Sequence, residues 1–259
     1  MEEMEERRLS FGSVADNYDA FRPSYPSELV DEVLSYAGVG SGDRALESGA
    51  GTGIATALFV DRGVLTTAIE PSDEMAAVAR RRLGESKVEF QICGLEQALV
   101  KEPYPLLYSA QAWHWVDPET RYQLAADALL SGGAIALFWN YPEWSACALQ
   151  AELDEVYAAY PALHQGPGYP GTSAGADPDT GWPGESIELF TDHDVRHYDW
   201  TQTYTSSEYV SLLGTHSDHV LLDADARERL FAGVAGVIEA NGGSFELPYR
   251  TRLLLARKR

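Results

Sequence analysis

From residue 44 onward, short apolar runs alternate with stretches of helical periodicity. Residues 44–48, 65–70, 88–92, 105–110 and 134–139 read as strands. Residues 54–62, 73–83 and 118–130 between them read as helices. This alternation predicts an α/β fold with a mostly parallel sheet and helices on both faces. Upstream, Leu29, Val30, Val33 and Leu34 mark one face of a helix that Ser27 can cap and that ends at Gly38. The prolines at 23 and 26 exclude helix just before it.

After Asn140 the pattern changes. Residues 146–160, 206–213 and 224–240 read as helices, the last ended by Asn241-Gly242-Gly243. Residues 187–203 and 245–256 alternate as strands do. Residues 161–183 are rich in Gly and Pro and predict an irregular loop, a candidate gate. The chain therefore divides into a leader (1–40), an α/β core (41–140), a cap that includes a late core strand (141–241) and a closing strand (242–259).

Composition narrows the classes of function. Forty acids against nineteen bases give a net charge of -21 over 259 residues. That surface repels phosphate backbones, so no nucleic-acid partner is expected. No apolar stretch reaches the roughly 18 residues that span a membrane. The acidic start lacks the apolar run of a secretory signal. The two cysteines, Cys93 and Cys147, build neither a disulfide framework nor a zinc motif. The expectation is a soluble cytoplasmic protein of unspecified oligomeric state.

The densest chemistry lies in Leu46-Glu47-Ser48-Gly49-Ala50-Gly51-Thr52-Gly53, between a strand and a helix. Ligands of open α/β sheets sit outside the strands' carboxyl ends. Glycines there let the backbone approach a ligand. The dinucleotide pattern G-x-G-x-x-G fails, because Ile54 stands where its third glycine is required. An acid at Glu47 repels a pyrophosphate and welcomes an ammonium group. A second acid, Glu70, ends the next strand, where a carboxylate can accept both hydroxyls of a ribose.

These residues resemble class I S-adenosylmethionine-dependent methyltransferases, in the branch acting on small molecules. Glu47 to Gly53 is similar to the family's E/D-x-G-x-G-x-G turn, and Glu70 falls at its ribose acid. Three further blocks resemble the family in order: residues 18–26, Ala110-Gln111-Ala112-Trp113-His114-Trp115 with Asp117-Pro118, and residues 249–257. The resemblance implies a Rossmann-like seven-stranded sheet with a late helical cap, and S-adenosyl-L-methionine as cofactor. It places the methionine moiety over Gly49, Ala50 and Gly51, with its carboxylate near Arg22 and Tyr18. Glu70 would hold the ribose and Met75 would lie along the adenine, with Leu95 and Glu96 at the adenine edge. Relatives often carry an Asp where Gly94 stands, so either Glu96 or a backbone group would substitute, or adenine would be held less tightly. Ala110 begins the fourth-strand block, which faces the transferred methyl. There His114 would take a proton, and Tyr25, Trp113 and Trp115 would contact a small methyl acceptor. No metal is expected: His193 and His197 fall on a strand, and His216 with His219 near a helix end. A non-catalytic S-adenosylmethionine-binding regulator is the alternative.

Overall fold

The computed structural model describes residues 21–84, 88–163, 182, 186 and 188–259. Seven strands form one sheet in the order β3-β2-β1-β4-β5-β7-β6. They are β1 (Arg44–Ser48), β2 (Leu65–Ile69), β3 (Glu89–Gln91), β4 (Tyr104–Ala110), β5 (Leu129–Pro142), β6 (Phe190–Thr205) and β7 (Ser244–Lys258). The first five run parallel, and β7 pairs antiparallel with both β5 and β6. Strand order reverses between β1 and β4, which opens a ligand crevice at their carboxyl ends.

Side-chain alternation splits the core across the sheet. On one face Leu46, Leu107, Leu137 and Leu254 pack with Tyr122 of helix α4 (Arg121–Ala128). On the other, Ala45, Leu106, Phe138 and Leu253 pack with Leu29 and Val33 of α1 (Ser27–Ala37) and Phe59 of α2 (Ile54–Val60). Helix α3 (Asp73–Leu83) follows β2 and is capped by the Ser72 hydroxyl, which accepts the Met75 N–H at 3.2 Å.

A third cluster lies beyond the parallel strands. It joins Leu153 and Tyr157 of α5 (Gln150–Tyr157) to Tyr209 and Leu213 of α6 (Ser206–Leu213). Leu230 and Val234 of α8 (Ala224–Ala240) and Tyr204, Phe245 and Leu247 of the β6–β7 ladder complete it. A short helix α7 (Ser217–Val220) stands between α6 and α8. Thr205 and Glu208 form a reciprocal capping box where β6 enters α6.

Two local expectations change. Ser27 does not cap α1: Pro26 holds the cap position, and its carbonyl accepts the Leu29 N–H. Strand β5 extends well past residues 134–139, to Leu129–Pro142. Its antiparallel partner β7 continues pairing through Pro142, beyond the Ala110–Phe138 pair where β4 stops. The expected gate at 161–183 falls almost wholly outside the described residues. No helix among the described residues is long and apolar enough to cross a membrane.

Candidate active site

The bend after β1 is held against β2. The N–H groups of Gly49 and Ala50 both donate to the Ile69 carbonyl, at 2.9 and 3.0 Å. Gly49 has φ +74°, and a Cβ there would fall 2.3 Å from the Ala112 Cβ. The β1 turn therefore presses directly on the loop that leaves β4, and only glycine fits.

Two carboxylates flank this bend. Glu47 is fully buried. Its Oε2 accepts the Thr56 hydroxyl at 2.6 Å and the Tyr108 hydroxyl at 3.1 Å. Its Oε1 is buried without a partner. Burial pushes the carboxyl up to about 7, against the pull of Thr56 and Tyr108, and the nearby Glu70 adds to the rise. Glu70 ends β2 and bridges the two turns. Its Oε2 accepts the Gly51 N–H at 2.8 Å and its Oε1 the Ser72 N–H at 2.9 Å.

Both acids line one cavity of about 640 Å³, together with Gly49, Gly51 and Met75. Its far wall includes Tyr25, Trp139, Tyr141 and Trp144, with Tyr209 and Tyr249 from the cap side. Asn140 ties that wall together. Its Nδ2 donates to the Ser24 carbonyl at 3.0 Å, and its Oδ1 accepts the Thr251 hydroxyl at 2.6 Å. The orphaned Oε1 of Glu47 and the Cβ-free turn suit a ligand with an ammonium group and a close backbone approach.

A family profile described as "Methyltransferase domain" matches residues 46–137. An uncharacterized methyltransferase of Mycobacterium tuberculosis is 30% identical over 249 residues, 94% of this chain and 93% of that one. The chain belongs to the class I S-adenosylmethionine-dependent methyltransferases. Among solved structures, a protein named as a type II methyltransferase from Anaeromyxobacter dehalogenans superposes with a TM-score of 0.64 at 18% identity. That match covers 92% of this chain and 98% of the other. Phosphoethanolamine N-methyltransferase 2 of Haemonchus contortus, solved with S-adenosylhomocysteine, has a TM-score of 0.53 at 16% identity, covering 95% and 57%. S-Adenosylmethionine is the family's cofactor, and the acid pair and glycine turn of this methyltransferase fit it.

Most residues that the sequence nominated in the methyltransferase come together. Arg22, Tyr25, Glu47, Gly49, Ala50, Gly51, Glu70, Met75, Leu95, Ala110, His114 and Trp115 all line the cavity. Arg22 already donates through Nε to the Thr215 hydroxyl at 2.9 Å and through Nη2 to its carbonyl at 3.0 Å. Tyr18 lies outside the described residues.

Two nominations are corrected. Trp113 does not line the cavity. It is buried edge-on to Tyr122 at 5.8 Å in the core beneath. Residues 113–115 form a 3₁₀ turn, which sends successive side chains about 120° apart. Trp113 therefore turns inward while His114 and Trp115 turn to the cavity. Glu96 is exposed and also leaves the lining, and its Oε1 accepts the Asp117 N–H at 3.3 Å. It does not substitute for the side chain missing at Gly94.

His114 sits on the rim, open on one side and crowded on the other. That crowding, and secondarily the Arg121 charge, lower its imidazole to about 4. It is neutral near pH 7. Gln111, with φ +58°, bends the loop that carries it.

Sequence reasoning missed the cap and closing-strand contributors, Tyr209, His216, Tyr249 and Arg252. Arg252 is one of several charges on its strand, alongside Glu246, Arg250, Arg257 and Lys258, so the sequence did not single it out. His216, Asp218 and His219 do converge, with one ligand atom each within 4.8 Å of the others. Yet both His219 nitrogens already have protein partners, Tyr157 at 3.0 Å and Asp218 at 3.2 Å.

Proposed function

We propose that this methyltransferase moves a methyl group from S-adenosylmethionine to an oxygen, nitrogen or carboxylate of a small organic molecule in the cytoplasm. The observation that carries this reading is the one cavity shared by the Glu47–Glu70 turn and an aromatic wall built on β5 and β7. Its volume of about 640 Å³ is that of small-molecule sites. The net charge of -21 disfavours an RNA acceptor. The two free cysteines suit a reducing compartment.

When bound, S-adenosylmethionine supplies an activated methyl on a sulfonium. The protein's part is to align, to hold charge and to exclude water. Glu47 Oε1, which has no partner among the described residues, would meet the ammonium group, and the Gly49–Gly51 backbone would lie against the methionine chain. Arg22, which lines the cavity, would face the carboxylate. Glu70 would accept the ribose hydroxyls, and Met75 and Leu95 would flank the adenine. Tyr25 and Trp115 bound the acceptor. His114, neutral at working pH, accepts a proton from an acceptor that carries one. Its low basicity favours acceptors that ionise easily or arrive ionised.

The test is formation of S-adenosylhomocysteine across a panel of small oxygen, nitrogen and carboxylate acceptors. Turnover with any of them supports the reading. Tight cofactor binding with no product across the whole panel points instead to a non-catalytic binder.

A further inference from the structure

Arg252 lies on β7 opposite Trp139 of β5, and both line the cavity. It is only 7% exposed. Its Nε and Nη1 are buried without a hydrogen-bond partner. The guanidinium carbon lies 5.6 Å from the Trp139 ring centre and 5.8 Å from that of Tyr141. An arginine cannot shed its charge in a protein. Aromatic faces return only part of what a buried cation loses with its water.

The contrast with its neighbours is informative. Arg250, two residues earlier on the same strand, holds Asp199 through Nε at 2.7 Å. Arg196 on β6 holds both Asp194 and Glu32. Among the described residues, no acid is hydrogen-bonded to Nε or Nη1 of the buried arginine. Two guanidinium donors are thus buried at the cavity wall with no partner among the described residues.

The cofactor's own carboxylate is a poor candidate for that place. β7 is three strands from β1, or about 14 Å at the usual spacing. Arg22 lines the same cavity, and the resemblance assigns that group to it. Arg252 instead stands on the acceptor side, beyond the tip of β4.

We propose that Arg252 is the anion anchor of the acceptor site, and that the acceptor is a small molecule bearing a carboxylate. A carboxylate would supply the acceptor that Nε and Nη1 lack, and Trp139 and Tyr141 would pack against the carbon skeleton behind it. The proposal rests on the small-acceptor reading above and specifies its substrate class.

The experiment uses the full chain saturated with S-adenosylhomocysteine, melted at constant ionic strength. The probes are adipate and 3-phenylpropionate, with their amides and phenyl phosphate for comparison. At least one carboxylate should raise the wild-type midpoint by about 2 °C or more, and its amide should not. Arg252→Met should abolish that rise. Without additive, Arg252→Met should melt at or above the wild-type midpoint, because it removes an uncompensated buried charge. Arg252→Lys keeps the charge without the fork and should respond more weakly.

Four results overturn the proposal. They are a lower midpoint for Arg252→Met without additive, no response to either carboxylate, the same response in Arg252→Met, and a response to phenyl phosphate alone. The two readings fail separately. Methyl transfer to neutral acceptors without carboxylate binding would sink the Arg252 assignment and leave the small-acceptor function standing. Carboxylate binding through Arg252 without methyl transfer to any acceptor would do the reverse.

Discussion

The Glu70 carboxylate spans the glycine bend and the start of α3, accepting the Gly51 N–H at 2.8 Å and the Ser72 N–H at 2.9 Å. One side chain therefore fixes the two turns between which an adenosyl group would lie. Glu70→Ala should weaken S-adenosylhomocysteine binding by roughly 1–3 kcal/mol, the scale for losing charge-assisted hydrogen bonds. Titration calorimetry checks this, and unchanged affinity would remove the ribose role from Glu70.

Glu47 gives the protein a signature in pH. Its folded carboxyl is raised to about 7, so the folded chain binds a proton that the unfolded chain has already released. Stability should therefore fall as pH rises from about 4.5 towards 7, then level off. Glu47→Gln should flatten that slope and gain on the order of 1–3 kcal/mol at pH 8. The same variant should bind S-adenosylhomocysteine more weakly, since it cannot become anionic beside the ammonium group. Wild-type binding should release a proton near pH 7, visible as a binding enthalpy that changes with the buffer. A Glu47→Gln chain that binds as well as wild type would refute the ammonium role.

Gly49→Ala tests how tightly the two loops meet. The added methyl would fall 2.3 Å from the Ala112 Cβ at a φ of +74°. Strain and overlap together should cost on the order of 2–4 kcal/mol. The loss should appear as a lower midpoint in thermal melts, with cofactor binding reduced in the fraction that remains folded.

His114→Ala should leave S-adenosylhomocysteine affinity within about twofold. For an acceptor that must lose a proton, it should lower kcat by about 10²-fold, the low end of general-base effects. Because the imidazole is lowered to about 4, the wild-type rate should show no His114 inflection near pH 6.5. Full activity in the variant would leave His114 only a packing role.

Much of this arrangement was legible in the chain. The 3.6- and 2-residue periods located the parallel core, and helices 206–213 and 224–240 were placed with their observed bounds. The spacing of Glu47, the glycines and Glu70 is local, because adjacent parallel strands bring their tips together. What escaped was non-local. Trp113 and Trp115 are two residues apart, and only the 3₁₀ turn decides which of them the core takes. The full reach of β5 depends on a partner more than a hundred residues later. Arg252 looked like one more strand residue until its neighbours proved to offer it no carboxylate.

The strands past β4 are about three times as long as β1 and β2: 14, 15 and 16 residues for β5, β7 and β6, against 5 each for β1 and β2. Their overhang gives the cap helices a hydrogen-bonded foundation instead of a tether. Helices resting on such a ledge could be exchanged in evolution for others, recutting the substrate chamber while the cofactor end kept its shape.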